Sequence, residues 1–372
     1  MSTISIVKCL EYEKELVFQS VHELLDRLGG IGCFVQSGQT VLLKPNMLSA
    51  KSPLQGVTTH PLILEAMIHE VQSVGGEAWI GDSPSGALKG IERCWENTGF
   101  LEVAEKTGAR IIHFEAGGTK ICRAGKEIYH LAKSVMEADV VINLPKLKTH
   151  GFTLYTGAVK NLYGTLPGFQ KAIYHKKHPH PDHFSRVLVD LYGLVNARLH
   201  VMDGVLGMEG NGPATGKKRW TGLLMAGSDG VALDAVAAHL MGFRENEIDA
   251  IRIASERNLG ESSLQNIEIL GPQLKSLRFK DFKLPSNRMI YLVPQWLIRL
   301  VGKMLWVCPQ ADYEKCTGCG ICARSCPVHA IDLIEEKPVI DNRKCINCLC
   351  CNECCPEGAI YQKLSMLAKY FG

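Results

Sequence analysis

Ten of the chain's 15 cysteines lie between Cys316 and Cys355, and their spacing repeats. The first run is Cys316, Cys319, Cys322 and Cys326, followed by Pro327; the second is Cys345, Cys348, Cys351 and Cys355, followed by Pro356. Both read C-x2-C-x2-C-x3-C-P. Three thiolates spaced two residues apart wrap an iron–sulfur cubane from one tight loop. A zinc module needs four ligands in two pairs, and a disulfide framework needs a different spacing, so neither suits this doubled pattern. Cys350 and Cys354 each precede a ligand and read as packing residues, with Cys308 just outside the repeat. The chemistry this points to is electron transfer.

The double run resembles that of bacterial two-cluster ferredoxins, where the fourth cysteine of each run crosses to the other cluster. The resemblance implies two [4Fe–4S] clusters. Cys316, Cys319, Cys322 and Cys355 would hold one, and Cys345, Cys348, Cys351 and Cys326 the other. It also implies a small α+β fold with a pseudo-twofold axis.

A second concentration of chemistry lies upstream. Residues 146–186 carry Lys146, Lys148, Lys160, Lys171, Lys176, Lys177 and Arg186 against one acid, Asp182. Five histidines fall in the same stretch, with Gly151, Gly157, Gly164 and Gly168 between them. Glycines let backbone amides approach a ligand and lysines add positive charge, a combination suited to a small anion. Lys146, Lys148 and Lys160 are the expected anion holders. His150 is the expected proton donor, because an imidazole titrates near neutral pH. Lys44, Asn46, Asp82, Asn161 and Asp203 complete the candidate substrate-binding set. The run from His175 to His183 reads either as a metal site or as a substrate lid. Pro179 and Pro181 are expected to keep it extended.

Strand and helix patterns alternate through the first 270 residues. Strands are expected at 40–43, 78–80, 110–113, 140–143, 199–202, 223–226 and 267–270. Helices are expected at 13–28, 61–74, 91–107, 184–197, 231–241 and 245–258. Alternation with near-continuous apolar strands predicts an α/β fold, a mostly parallel sheet with helices on both faces. Ligands gather at the carboxyl ends of such strands. There the sequence places Lys44–Asn46, Gly81–Gly86, Leu144–His150 and Asp203–Val205. The expected domains are 1–285 for the α/β unit, 286–307 for an amphipathic connector, and 308–372 for the ferredoxin unit with a terminal helix over 364–370. Within the connector, a docked helix is the expectation and an interfacial membrane anchor the alternative, since Pro294, Gln295, Arg299 and Lys303 interrupt any span.

A net charge of +3 without a long basic run excludes a nucleic-acid partner. Scattered free thiols, cubane ligands and no export signal predict a reducing cytoplasm and anaerobic metabolism. No Walker loop or G-x-G-x-x-G is present, so the sequence supports no nucleotide fingerprint.

The upstream loops resemble the family called domain of unknown function 362. The matching residues are Lys44-Pro45-Asn46, Thr59-His60-Pro61, Gly81-Asp82-Ser83-Pro84, Lys146 through His150, Gly157 through Asn161, Met202-Asp203-Gly204 through Gly212-Pro213, and Ser228-Asp229 to Asp234. The resemblance spans roughly 7–271 and implies an iron–sulfur protein without naming a substrate. His150 and the loop 157–160 are also similar in outline to nickel-pincer lactate racemases, which implies an isomerase as a further alternative. The expected function is an iron–sulfur oxidoreductase acting on a small anionic molecule, with a ferredoxin or reductase as redox partner. The alternative is an electron carrier whose α/β unit docks or senses a ligand.

Overall fold

The structure, a computed structural model, describes residues 1–84, 91–168, 170–286, 288 and 307–364. The expected connector helix and nearly all of the expected terminal helix lie outside the described residues, as do Ser85 and Gly86.

Twelve strands form in the upstream part: β1 (Ser2–Lys8), β2 (Thr40–Pro45), β3 (Glu77–Asp82), β4 (Arg110–His113), β5 (Thr119–Ala124), β6 (Glu127–Ala132), β7 (Val140–Leu144), β8 (Lys146–His150), β9 (Leu154–Thr156), β10 (Leu199–Glu209), β11 (Lys217–Gly227) and β12 (Ile267–Leu270). The main sheet runs β12-β1-β11-β10-β7-β2-β3-β4, with β8 joining β10 and β9 joining β8. Pairings are parallel at β12/β1, β10/β7, β7/β2, β2/β3, β3/β4 and β10/β8, and antiparallel at β1/β11, β10/β11 and β8/β9. The fold is α/β with a mostly parallel sheet.

The pleat explains why the strands read as unbroken apolar runs. In β2, Val41 and Leu43 enter one core and Leu42 the other; in β7, Val140, Ile142 and Leu144 oppose Val141 in the same way. Helices Lys14–Asp26 and Pro61–Ser73 cover one face; Pro181–Val195, Gly230–Met241 and Asp249–Glu256 cover the other. Their starts follow capping chemistry. Glu13 accepts from the amides of Glu15 and Leu16, Asp229 from those of Val231 and Ala232, and Pro61 and Pro181 open their helices.

Several expectations give way to the tertiary context. The predicted helix 91–107 breaks after Asn97 at Gly99, which adopts a left-handed conformation. The strand-end loops at 144–150 and 203–205 are strands instead: Lys146–His150 is β8, and Asp203–Val205 sits inside the long β10. The predicted extended histidine run is helical as far as Lys177, because Pro179 and Pro181 act only after that turn has closed.

The downstream part pairs β13 (Val307–Ala311) with β16 (Ile360–Leu364) and β14 (Ile331–Ile334) with β15 (Lys337–Ile340), around short helices Ile321–Arg324 and Cys350–Cys354. The two cysteine runs, offset by 29 residues, share backbone geometry. Gly318 and Gly320 have φ of 72° and 69°, and their counterparts Asn347 and Leu349 have 54° and 62°. A leucine in the left-handed region costs about 1–2 kcal/mol. Leu349 is nonetheless 3% exposed and belongs to the large α/β core, so burial offsets the strain. This side chain anchors one unit on the other.

Leu349→Gly would relieve the turn and remove the anchor, whose burial is worth roughly 1.5–3 kcal/mol. The expected net loss is about 1 kcal/mol, measured by denaturant unfolding. An unchanged or raised midpoint would refute the anchoring role.

Candidate functional site

The carboxyl ends of β2 and β3, the strand pair β8/β9 and the turn of helix Ala158–Asn161 converge on one narrow cavity of about 70 Å³. Lys44, Asn46, Asp82, Lys148, Lys160 and Asn161, all expected from the sequence, line it. Thr156, Lys171 and His175 line it too. Another part of the wall comes from the cysteine runs: Ser325, Cys350 and Glu353.

Most of the polar groups are fixed by each other. Lys44 pairs with Asp82 at 2.8 Å, and Asp82 also accepts from the amides of Met47 and Ser83, each at 2.8 Å. A Cβ on Gly164 would stand 2.1 Å from Asp82 Oδ1 and 2.7 Å from Lys44 Nζ, so only glycine fits against this pair. Asn46 accepts from Lys148 at 3.1 Å and donates to Asn161 at 2.9 Å, which in turn donates to Asn143 at 2.8 Å. Lys171 donates to the Ser83 carbonyl and hydroxyl and to the Leu166 carbonyl. Burial lowers the Lys171 ammonium to about 8, partly opposed by Asp82.

Lys160 differs. Among the described residues its ammonium has no hydrogen-bond partner and faces the Tyr163 ring at 5.9 Å. Burial pushes it below the ordinary lysine range, and the Glu353 carboxylate pulls it back. Lys148 has two acceptors, Asn46 and the Val57 carbonyl, and burial together with the neighbouring Lys160 charge holds its ammonium well below the ordinary lysine range.

The candidate site needs two corrections. Lys146, expected to hold the anion, and Asp203, expected to bind substrate, do not reach the cavity: both are fully buried and paired at 2.7 Å, with Tyr12 donating to Asp203 at 2.7 Å. Nor is His150 placed as a proton donor to substrate. Its Nδ1 accepts from the amides of Phe152 (2.9 Å) and Thr153 (3.3 Å), so its proton sits on Nε2. That proton is given to Glu353 at 2.8 Å. Burial and Lys160 lower the His150 imidazole to about 4, leaving it neutral at physiological pH. His150 therefore orients Glu353. The carboxylate itself is held well below the usual range, Lys160 and His150 outweighing its burial.

Glu353 was not foreseen, because between Cys351 and Cys354 it reads as loop filler. Its acid side chain within a helix of cysteines, 203 residues from His150, carries no local signal. The histidine run does not converge. His175 stacks on Phe184 at 4.1 Å, while His178 approaches Glu127. Among the described residues no group of three such side chains could hold a single metal ion.

Cubanes bind each thiolate at a different iron, so their ligands stand apart around a larger hollow. Cys316, Cys319, Cys322 and Cys355 line one small cavity together. Cys345 lies near Cys348 and Cys326, and Cys351 near Cys348 and Cys345. Cys326 Sγ accepts from the Ala330 amide and Cys355 Sγ from the Ala359 amide, each at 3.2 Å, the same offset in both copies. Amides aimed at sulfur favour the thiolate that a cluster requires. The residues fit the group.

Comparison with known proteins first defines the class. Residues 307–332 match the 4Fe-4S binding domain, so the chain is an iron–sulfur protein with a ferredoxin domain built for electron transfer. Residues 41–239 match the family described as Domain of unknown function (DUF362), and the chain belongs to that family. The Thylakoid-associated protein sll1697 of Synechocystis is 37% identical over 243 residues, 65% of this chain and 75% of that one. Two solved structures are distant. A Thermotoga maritima protein is 12% identical, with a TM-score of 0.38, over 67% of this chain and 60% of its own. The lactate racemase apoprotein from Thermoanaerobacterium thermosaccharolyticum is 10% identical, with a TM-score of 0.40, over 65% of this chain and 57% of its own. This chain thus spans less than two thirds of either structure, and likenesses at that level carry no residue roles.

Four buried histidines set an acid limit on the fold. Burial lowers His60, His150 and His200 to about 4 and His175 to about 3. Unfolded, each titrates near 6.5. Below that pH the unfolded chain binds more protons than the folded one, so stability falls as pH drops from about 6.5 to 4. The denaturant midpoint is expected to fall over this window by the equivalent of several kcal/mol. His200→Gln should flatten part of the slope.

Proposed function

We propose that the chain is an oxidoreductase that uses two [4Fe–4S] clusters to pass electrons to or from a small anionic substrate held in this cavity. The observation that carries the proposal is the shared wall. Ser325 precedes Cys326 and Cys350 precedes Cys351, and both cysteines are expected ligands of the same cluster. A molecule in the cavity therefore lies one residue from two ligands. Bound cubanes supply single electrons.

The protein's own residues do the rest. Lys160 offers an ammonium to the anion, with Lys148 beside it in the cavity wall. The Lys44–Asp82 pair and the Asn46–Asn161–Asn143 chain hold the wall rigid, which lowers the ordering cost of binding. His150 keeps Glu353 oriented. Lys171, Ala172 and His175 of helix Gln170–Lys177 form one side of the cavity. At the far end Cys319 is exposed, which suits exchange with a redox protein such as a ferredoxin or reductase. No helix among the described residues is long and apolar enough to cross a membrane. The free thiols favour a cytoplasmic setting.

Anaerobically purified protein is expected to hold about eight irons and as many sulfides per chain. Four irons would overturn the two-cluster count. Lys160→Met should reduce turnover of the co-purifying small molecule at least ~100-fold at unchanged iron content. Full turnover in that variant would sink the site assignment.

A further inference from the structure

The strand pair β14/β15 roofs the first cysteine run and meets water on its outer side. Leu333 and Pro338 line the small cavity that Cys316, Cys319, Cys322 and Cys355 share. A Cβ on Gly320 would stand 3.1 Å from Leu333 Cδ1, so the hairpin rests directly on that loop. Leu333 is itself exposed, with one end in the cavity and the other in solvent. The second run is turned away: Cys348 and Cys351 are buried, and Leu349, Cys350 and Glu353 face the α/β unit.

The roof is apolar on its outside. Leu333, Ile334 and Val339 of the hairpin, and Tyr313 beside it, are between 40% and 58% exposed. Tyr313 donates to the Pro338 carbonyl at 3.4 Å and its own carbonyl accepts from Lys337 at 3.0 Å, which joins it to the hairpin. Gathered large apolar groups of this kind mark an interaction surface. The rim is acidic. Asp332, Glu335 and Glu336 are exposed and, among the described residues, in no ion pair. The nearby cations are engaged elsewhere: Lys337 on the Tyr313 and Cys316 carbonyls, Arg324 on the Cys319 carbonyl, Lys315 on Asp312. Glu335 and Glu336 also fill the two-residue turn of the hairpin, with φ of 48° and 61°. Such a turn is ordinarily Asn-Gly, because side chains disfavour positive φ. Local folding gives no reason for two glutamates there; a charged partner does.

We infer that this hairpin is the docking face for the redox protein, and that the partner presents basic side chains around an apolar centre. The inference rests on the electron exchange proposed above and narrows its partner by chemistry, since an acidic face would be repelled. Apolar contact holds the complex, while the glutamates steer it and fix its orientation over Leu333. In each encounter the reduced chain loses one electron and the partner gains it.

Stopped-flow mixing of the chemically reduced, cluster-loaded full chain with ferric cytochrome c decides it. Two forms of the cytochrome serve as probes: the native protein with its ring of surface lysines, and the same protein with those lysines succinylated to anions. At low ionic strength the native form is expected to be reduced at least ~10-fold faster, the gap closing as salt is added. Glu335→Asn/Glu336→Gly suits the turn, so it should unfold at no lower denaturant concentration and yet slow the native cytochrome roughly 5-fold. Glu92→Gln/Glu96→Gln removes the same two charges from the exposed side of helix Ile91–Asn97 and should leave the rate within about 2-fold. Ile334→Ser should slow the reaction even in high salt. Equal slowing by the two charge pairs, or faster reduction of the succinylated form, would overturn docking at the hairpin and leave the clusters and the anion cavity standing. An unchanged rate for Ile334→Ser would overturn the apolar centre. A chain that assembles no cluster would overturn both this inference and the reading beneath it.

Discussion

A carboxylate carried on a cysteine loop is buried against lysines of another fold, and the molecule is organised around that contact. Desolvating Glu353 is unfavourable by several kcal/mol unless opposite charge and hydrogen bonds replace its water. The α/β unit supplies them: Lys160 nearby, the His150 proton at 2.8 Å, and His175 within electrostatic reach. Burying Lys148 and Lys160 is equally costly without a nearby anion. Each unit thus presents half of an arrangement that is poor alone. Leu349 drives the docking by apolar burial, and the charges fix its register.

Other contacts enforce the same register. Asn352 donates to Thr215 at 3.2 Å, and Gln362 donates to the Gly212 carbonyl at 3.2 Å. A Cβ on Gly151 would stand 2.1 Å from the Gln362 amide, so a side chain just after His150 would displace Gln362 from this contact. The close approach at Gly151 and the His150–Glu353 bond are neighbours in sequence and in function. One positions the backbone, the other the carboxylate.

What could be read from the sequence was whatever announces itself locally. Strand periodicity, cysteine spacing and the density of lysine and glycine are all local signals, and they led to the sheet, the iron–sulfur domain and six of the cavity's residues. The rest depended on pairing across long separations. Lys146 and Lys148 are two apart on β8, yet one is neutralised by Asp203 and the other lines the cavity. A strand alternates its faces, but which face meets the cavity is decided by β10 and β9 on either side. His150 looked like a proton donor because its type suits one. Its tautomer is set by two backbone amides that no residue type reveals.

The repeat itself records which side docks. With an offset of 29, Gly320 corresponds to Leu349, Ile321 to Cys350, Ala323 to Asn352 and Arg324 to Glu353. In the first copy Arg324 is exposed and bonds back to the Cys319 carbonyl of its own loop. In the second copy every one of those four positions faces the α/β unit or is buried beside it: Leu349 in the core, Cys350 and Glu353 in the cavity wall, Asn352 on Thr215. The ligating cysteines hold their spacing because cluster geometry constrains both copies alike. The residues between them are free to differ, and they differ where one copy meets water and the other lines the cavity. That asymmetry gives the pseudo-symmetric module a direction, with the Arg324 side of the first loop turned outward to solvent and the second loop inward to the cavity.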